Sequence, residues 1–282
     1  MSTALPSHDQ LSVTSVLARR EANAAVRGLG GYIALTLALL VAAWLVVVDV
    51  QALDRAGVLV KAEPFRGPLT IAVLILCIFL AVSAAVSTSR DRESGTLEVL
   101  FYGPVDERIY VTAKVAGLLL AYVAALPLLL LPFFVMSMIS GFMVTPIILV
   151  SAVLSIVPAA AIISFGVMLS VGTHRIRTAV LVLAGTIALL IGIKLAYGLV
   201  LLIPVADPSS ALLALRDALM SLDGLVRWIS PFAYLERVVD AGMAGQWWSA
   251  AVNSAAVLVG NVAMIAVAVM RLRHRGVCWR GE

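Results

Sequence analysis

The chain has 282 residues, a formal net charge of +4, 62% hydrophobic and only 13% charged side chains, and a mean hydropathy of +1.07. Soluble domains run nearer to about 45–50% apolar and about 25% charged, so a single water-facing domain is excluded and lipid is the solvent that tolerates the surplus. Nucleic acid is not the expected partner of the basic residues, because they flank long apolar runs, where membrane orientation accounts for them.

Residues 1–28 form a polar, mixed N-terminal segment. No cleavable signal peptide is expected, since the first apolar run is long enough to span rather than to serve as a signal core. Within the segment, residues 10–27 read as an amphipathic helix. Leu11, Val13, Val16, Leu17, Ala24 and Val26 alternate there with Arg19, Arg20, Glu21, Asn23 and Arg27. The helix is expected on the cytoplasmic interface, its arginines toward lipid phosphates.

A spanning helix needs about 20 mostly apolar residues. Six runs qualify, at 29–50, 68–88, 109–137, 146–171, 179–203 and 249–270, so residues 29–270 read as an all-α membrane domain of six transmembrane helices. The third and fourth runs exceed what the hydrocarbon needs and are expected to tilt or project. Pro127, Pro132 and Pro158 fall inside them and read as simple kinks, because neighbouring helices can satisfy the freed carbonyls.

Orientation follows from the arginines and lysines. The N-terminal segment, the second and fourth connections and the tail hold Arg19, Arg20, Arg27, Arg90, Arg92, Arg108, Lys114, Arg175, Arg177, Arg271, Arg273, Arg275 and Arg280. The other side has only Arg55, Lys61, Arg66, Arg216, Arg227 and Arg237. The asymmetry places both termini in the cytoplasm of an inner (plasma) membrane, with residues 271–282 as a basic cytoplasmic tail.

Between the second and third spans lies the loop 89–108. Gly95 allows a sharp break or close backbone approach. Leu97, Leu100 and Phe101 form an apolar face on a short helix, with Glu98 pointing elsewhere. Gly103-Pro104 ends that helix, Asp106 can cap the third span, and Glu107 suits its first turn. The piece is a cytoplasmic helical knuckle, read either as a docking element or as a solvated interfacial loop.

The long external connection 204–248 carries Leu212, Leu215, Leu219, Leu222 and Val226 at helical spacing, opposite Arg216, Asp223 and Arg227. That stripe reads as a surface helix, part of a lid, or a piece re-entering the outer leaflet. A further break follows at Ser230-Pro231.

Few groups inside the spans have chemistry. Lys194 is the one clear intramembrane charge and a functional hypothesis by default; snorkelling to the outer interface is the competing reading. Asn253 and Asn261 share a face of the last span and are expected to hydrogen-bond between helices. Cys77 in a span and Cys278 in the tail support neither metal nor disulfide chemistry. His8, His174 and His274 are separated and assemble no metal site.

The knuckle resembles that of the ABC type-2 permease family, whose members carry an acidic-Arg-Glu-x-Gly-Thr-Leu-Glu-x-Leu run followed by Pro-Val between their second and third spans. Arg92-Glu93, Gly95-Thr96-Leu97-Glu98, Leu100 and Pro104-Val105 match it. An Arg-Arg-Glu before the first span (Arg19, Arg20, Glu21), a Ser-Pro-Phe before the last (Ser230, Pro231, Phe232), Trp247-Trp248 and an arginine-rich exit agree. The resemblance implies the permease half of an exporter that pairs with a second permease chain, identical or similar, and with two ABC ATPase subunits. It also implies that Arg92, Glu93, Gly95, Thr96, Leu97, Glu98, Leu100 and Pro104 form the ATPase-coupling helix, and that 204–248 includes short re-entrant helices. The stretches Ala113-Lys114-Val115 and Leu126-Pro127-Leu128-Leu129-Leu130 are also similar to the haem-exporter permease of cytochrome c maturation, from which the long external segment departs.

ATP is not expected to bind this chain. A Walker A loop needs Gly-Lys followed by Ser or Thr, and none of Lys61, Lys114 and Lys194 sits in that setting. ATP and magnesium therefore belong to the partner ATPase, and this chain carries no cofactor and no catalytic residue. An ATP-independent secondary transporter would need ionisable groups near the midplane, and the spans offer only Lys194, which lies toward the external half of the fifth. An intramembrane enzyme would need a buried catalytic pair, which the spans lack.

Overall fold

A computed structural model describes residues 7–56, 65–102, 105–140, 146–173, 175–201 and 210–275. Among these residues every regular element is an α-helix, as expected where the backbone must satisfy its own hydrogen bonds away from water.

Six helices are long and apolar enough to cross a membrane. They are α2 (Leu29–Ala56), α3 (Arg66–Glu93), α5 (Glu107–Ser140), the pair α6 (Pro146–Leu154) and α7 (Ile156–Val171), α8 (Ile176–Leu201) and α11 (Trp247–Arg275). The expected runs are all present, with shifted ends. Span two continues through Ser89-Arg90-Asp91-Arg92 to Glu93, residues that hydropathy assigns to the loop. Backbone hydrogen bonding does not stop where the hydrocarbon does, and arginine and glutamate are good helix formers. At 1.5 Å per residue, the 34 residues of α5 exceed the roughly 30 Å of hydrocarbon, the excess length that tilt or projection would take up.

The prolines act differently from one another. Pro127 and Pro132 lie inside an uninterrupted α5. Pro158 follows the break at Ser155 that divides span four into α6 and α7. A proline ring clashes with the carbonyl four residues earlier, here that of Leu154. Tyr122 on α5 meets Ser155 at the break, the two hydroxyl oxygens 2.6 Å apart, and the Ser155 hydroxyl also donates to Ala152 O at 2.6 Å.

Helices α3 and α7 form the centre and are the most buried spans. Ala72, Ala81, Ala84 and Ala85 of α3 and Ala159, Ala160 and Ala161 of α7 are buried. Small side chains let helix backbones approach closely where no aqueous hydrophobic drive exists between them. Helices α2, α8 and α11 are peripheral. They expose Leu37, Leu40 and Trp44, Leu181, Leu189 and Leu195, and Val259 and Val262 respectively, as lipid-facing or partner-facing surface requires.

Four shorter helices decorate the two ends. At one end lie α1 (Ser7–Arg27) and α4 (Thr96–Tyr102); at the other lie α9 (Ser210–Ile229) and α10 (Pro231–Met243). The N-terminal amphipathic helix is present, but it docks on protein: its pairing with α5 is the most extensive in the fold. Val13, Leu17, Ala18 and Ala25 face the bundle, whereas Val16, Ala24 and Val26 are exposed together with Arg19 and Arg20. Gly117 of α5 makes the approach close, since a Cβ there would lie 2.5 Å from Ala18 O.

The α9 stripe corrects an expectation. Leu215 and Leu222 are exposed, while Asp223, expected on the opposite polar face, is buried at 7% exposure. The helix packs on α8 and α10 and turns Asp223 inward, while its partner Arg227 stays exposed. The stripe is therefore divided: Leu215 and Leu222 face outward, while Leu219 and Val226 are half-buried. Helix α10 begins at Pro231 after an extended Ser230 and packs among α3, α6, α7 and α11. Phe232 meets Phe165 of α7 edge-on, centroids 6.3 Å apart. Pro104, the loop residues 57–64 and 202–209, and the tail from 276 onward, including Cys278, lie outside the described residues.

Candidate functional site

The knuckle is built by a helix stop, a reversal and a new helix. At the end of α3, the Ser94 N–H donates to Arg90 O at 2.9 Å and the Gly95 N–H to Arg92 O at 3.2 Å. Gly95 has φ +68°, the left-handed region that side chains with a Cβ disfavour. Ser94 and Thr96 hydroxyl oxygens are 2.7 Å apart across the turn.

Helix α4 then lies against the bundle. Leu97 is buried, and Leu100 and Phe101 pack on the core, with Phe101 edge-on to Tyr110 of α5 at 6.1 Å. The predicted apolar face is thus the inward face. Outward, Val99 is 71% exposed and Tyr102 91% exposed; the sequence reading passed over both, although their spacing from Leu97 and Leu100 places them on the far side of a helix. Glu98 is helical, and its side chain lies outside the described residues.

Arg92 and Glu93 face their own chain. The Arg92 guanidinium donates from Nη1 to Val171 O and to Thr173 O, each at 3.0 Å. Those carbonyls close the end of α7, where unpaired acceptors and the helix dipole both favour a cation. Glu93 Oε1 accepts from the Ile176 N–H at 2.8 Å, the first residue of α8, where the dipole favours an anion. Adjacent residues of opposite charge therefore hold opposite ends of the α7–α8 turn against the root of the knuckle.

A buried polar cluster underlies the same end. Lys114 of α5 is 2% exposed. Its Nζ lies 2.8 Å from Asp91 Oδ2 and 3.5 Å from Glu21 Oε1, and donates to Ser87 Oγ at 2.9 Å. Tyr110 donates its hydroxyl to the same Asp91 oxygen at 2.8 Å, and the ammonium stands 5.3 Å from the Tyr110 ring centroid. Sequence reasoning took Lys114 for an interfacial cation setting orientation. The structure makes it the joint between α1, α3 and α5, and explains the Arg-Arg-Glu pattern: the arginines are exposed and the glutamate turns in.

The intramembrane polar residues fare differently from expectation. Lys194 of α8 pairs with Glu236 of α10, so it is neither an isolated charge nor simply snorkelling. Asn253 donates to Ser249 O at 2.8 Å within its own helix, and Asn261 Oδ1 is buried without a hydrogen-bond partner. Neither the Asn253 amide nor the Asn261 carbonyl oxygen thus makes the interhelical bond expected of it among the described residues. Arg92, Glu93, Gly95, Thr96, Leu97 and Leu100 come together at one end, with Lys194, Asn253 and Asn261 elsewhere.

A family model described as ABC-2 family transporter protein matches residues 4–277. No curated protein matches the chain with significance.

Proposed function

The chain belongs to the ABC-2 transporter family, and on that premise we propose that it is the permease subunit of an ABC exporter, driven by a separate ATPase that holds ATP and magnesium. Two permease chains and two ATPase chains make the working unit, in an inner (plasma) membrane with both termini and α4 in the cytoplasm. The observation that carries this reading is α4 itself: a seven-residue helix seated by Leu97, Leu100 and Phe101, presenting Val99 and Tyr102 outward. Tyrosine is among the residues that most often anchor a protein interface, and Val99 adds apolar area beside it.

Arg92 and Glu93 serve coupling from behind. They tie the knuckle to the α7–α8 turn, so that a push on α4 is delivered to three spans rather than dissipated in a loop. ATP-driven closure of the ATPase pair then carries both knuckles, and the attached spans exchange inward- and outward-facing arrangements. Direction follows from the cargo's unequal affinity for the two states.

The test is co-purification with the ATPase. Val99→Ala with Tyr102→Ala is expected to lose the complex while membrane insertion stays intact. Glu98, helical beside them, adds a second arm: if it forms a desolvated charge pair with the ATPase, Glu98→Ala costs about 2–5 kcal/mol of binding. Undiminished ATPase binding and transport in both variants would rule out α4 as the docking element.

A further inference from the structure

At the end opposite α4, helices α3, α8, α9 and α10 enclose a cavity of about 550 Å³. Its two walls differ in chemistry. Ile71, Leu74 and Ile78 of α3 face Leu190 and Ile191 of α8, an apolar slot along two spanning helices. Above it stand Lys194, Asp223, Arg227, Glu236, Arg237 and Asp240, an unusual density of charge for a chain with so few.

The carboxylates of this rim are already matched. Lys194 pairs with Glu236, Arg227 Nε lies 2.9 Å from Asp223 Oδ2, and Arg66 Nε lies 2.8 Å from Asp240 Oδ1. Arg237 is left over. Its Nη2 donates to Arg227 O at 2.8 Å, and its guanidinium stands 5.5 Å from the Trp228 ring centroid and 5.2 Å from that of Tyr234. Cation–π contacts with two rings fix where the charge sits, and a guanidinium has five N–H donors, most of which remain available. A positioned cation with no carboxylate partner among the described residues, above an apolar slot, is complementary to a tailed anion.

We propose that this cavity binds a membrane amphiphile with an anionic headgroup, its acyl chain in the α3–α8 slot and its phosphate or carboxylate on Arg237. The site lies at the far end of the molecule from the proposed ATPase contact and does not depend on that contact. Chain and charge are both required: the slot supplies burial without headgroup choice, and Arg237 supplies the choice. A charge-assisted hydrogen bond of this kind corresponds to roughly tenfold or more in affinity.

Native mass spectrometry of the full-length protein, released from a neutral detergent with phosphatidylglycerol and phosphatidylcholine added at equal concentration, reads this out directly. Wild type is expected to retain phosphatidylglycerol in preference, and Arg237→Gln to lose that preference by about tenfold while still retaining phosphatidylcholine. Ile191→Trp, which fills the slot at an exposed position, is expected to lower retention of both lipids. Equal retention by wild type, an unchanged preference in Arg237→Gln, or unchanged retention in Ile191→Trp would each overturn the proposal. Displacement of phosphatidylglycerol by glycerol phosphate at comparable concentration would also overturn it, marking a site for a free anion instead.

Discussion

Lys114 Nζ on α5 lies 2.8 Å from Asp91 Oδ2 on α3, with the lysine side chain 2% and the aspartate side chain 14% exposed. Such a pair gains little over apolar packing while intact, yet breaking it by removing one partner is expensive, because the other charge stays buried and uncompensated. Here two carboxylates, Asp91 and Glu21, depend on one ammonium. The cluster therefore acts less as a source of stability than as a lock on which helix faces meet: α1 docks only in the register that brings Glu21 to Lys114.

Replacing the lysine tests that lock. Lys114→Met is expected to destabilise the purified protein by about 3–5 kcal/mol, seen as a lowered thermal unfolding midpoint in detergent. Adding Asp91→Asn should recover part of the loss, since one of the two stranded charges is then removed. A single variant that unfolds like wild type would show that the carboxylates find other partners.

Gly95 separates conformation from contact. Its φ is +68° and a Cβ there would meet nothing within 4 Å, so any penalty on substitution is one of backbone geometry. Gly95→Val should cost about 1–2 kcal/mol and lower ATPase stimulation by transport cargo. Gly95→Asn, a residue that tolerates the left-handed region, should retain most of the wild-type stimulation. Equal loss in both variants would point to a steric role that the open space around Gly95 contradicts.

The α7–α8 clamp has an expected rank order. Arg92 makes two charge-assisted bonds to carbonyls, and Arg92→Ala should cost about 1.5–3 kcal/mol. Glu93→Ala, at an exposed helix start, should cost about 0.5–1 kcal/mol. Proteolysis of the α7–α8 turn in inverted vesicles reads the clamp locally and should accelerate in the same order. The reverse order would mean that Glu93 has a second partner of greater weight.

Lys194 is expected to matter little by itself. Its pair with Glu236 is more than a third exposed on both sides, at 58% and 45%, and exposed pairs contribute roughly 0–1 kcal/mol. Lys194→Met should leave expression, ATPase binding and transport near wild type. Abolished transport with intact assembly would make Lys194 a functional residue.

Topology is open to labelling in a background lacking Cys77 and Cys278. Cysteines at Ser94 and Thr173, both near the knuckle, are expected to react from the cytoplasm, and one at Ser221 on α9 from outside. Reaction of Ser94→Cys with an external impermeant reagent would invert the arrangement.

Spans, helix class and the knuckle's short helix with its turn at Gly95 were determined by the sequence alone, because each depends on local quantities: transfer of about 20 consecutive side chains into lipid, helical spacing of Leu97, Leu100 and Phe101, and a glycine where the backbone must reverse. The family resemblance was legible for the same reason, as a contiguous run. Hydropathy misjudged where helices end, since Ser89 to Glu93 are polar but still hydrogen-bonded as helix. What only the tertiary structure decided is which polar group meets which. Lys114 and Arg92 look like any interfacial cations in the sequence, and their partners Glu21, Asp91, Val171 O and Thr173 O come from other helices or from a distant turn. Asp223 turned inward and Asn253 bonded its own helix for a related cause. In lipid both faces of a helix can be apolar, so hydrophobic periodicity no longer says which face is inside, and the choice passes to helix packing and charge pairing across the bundle.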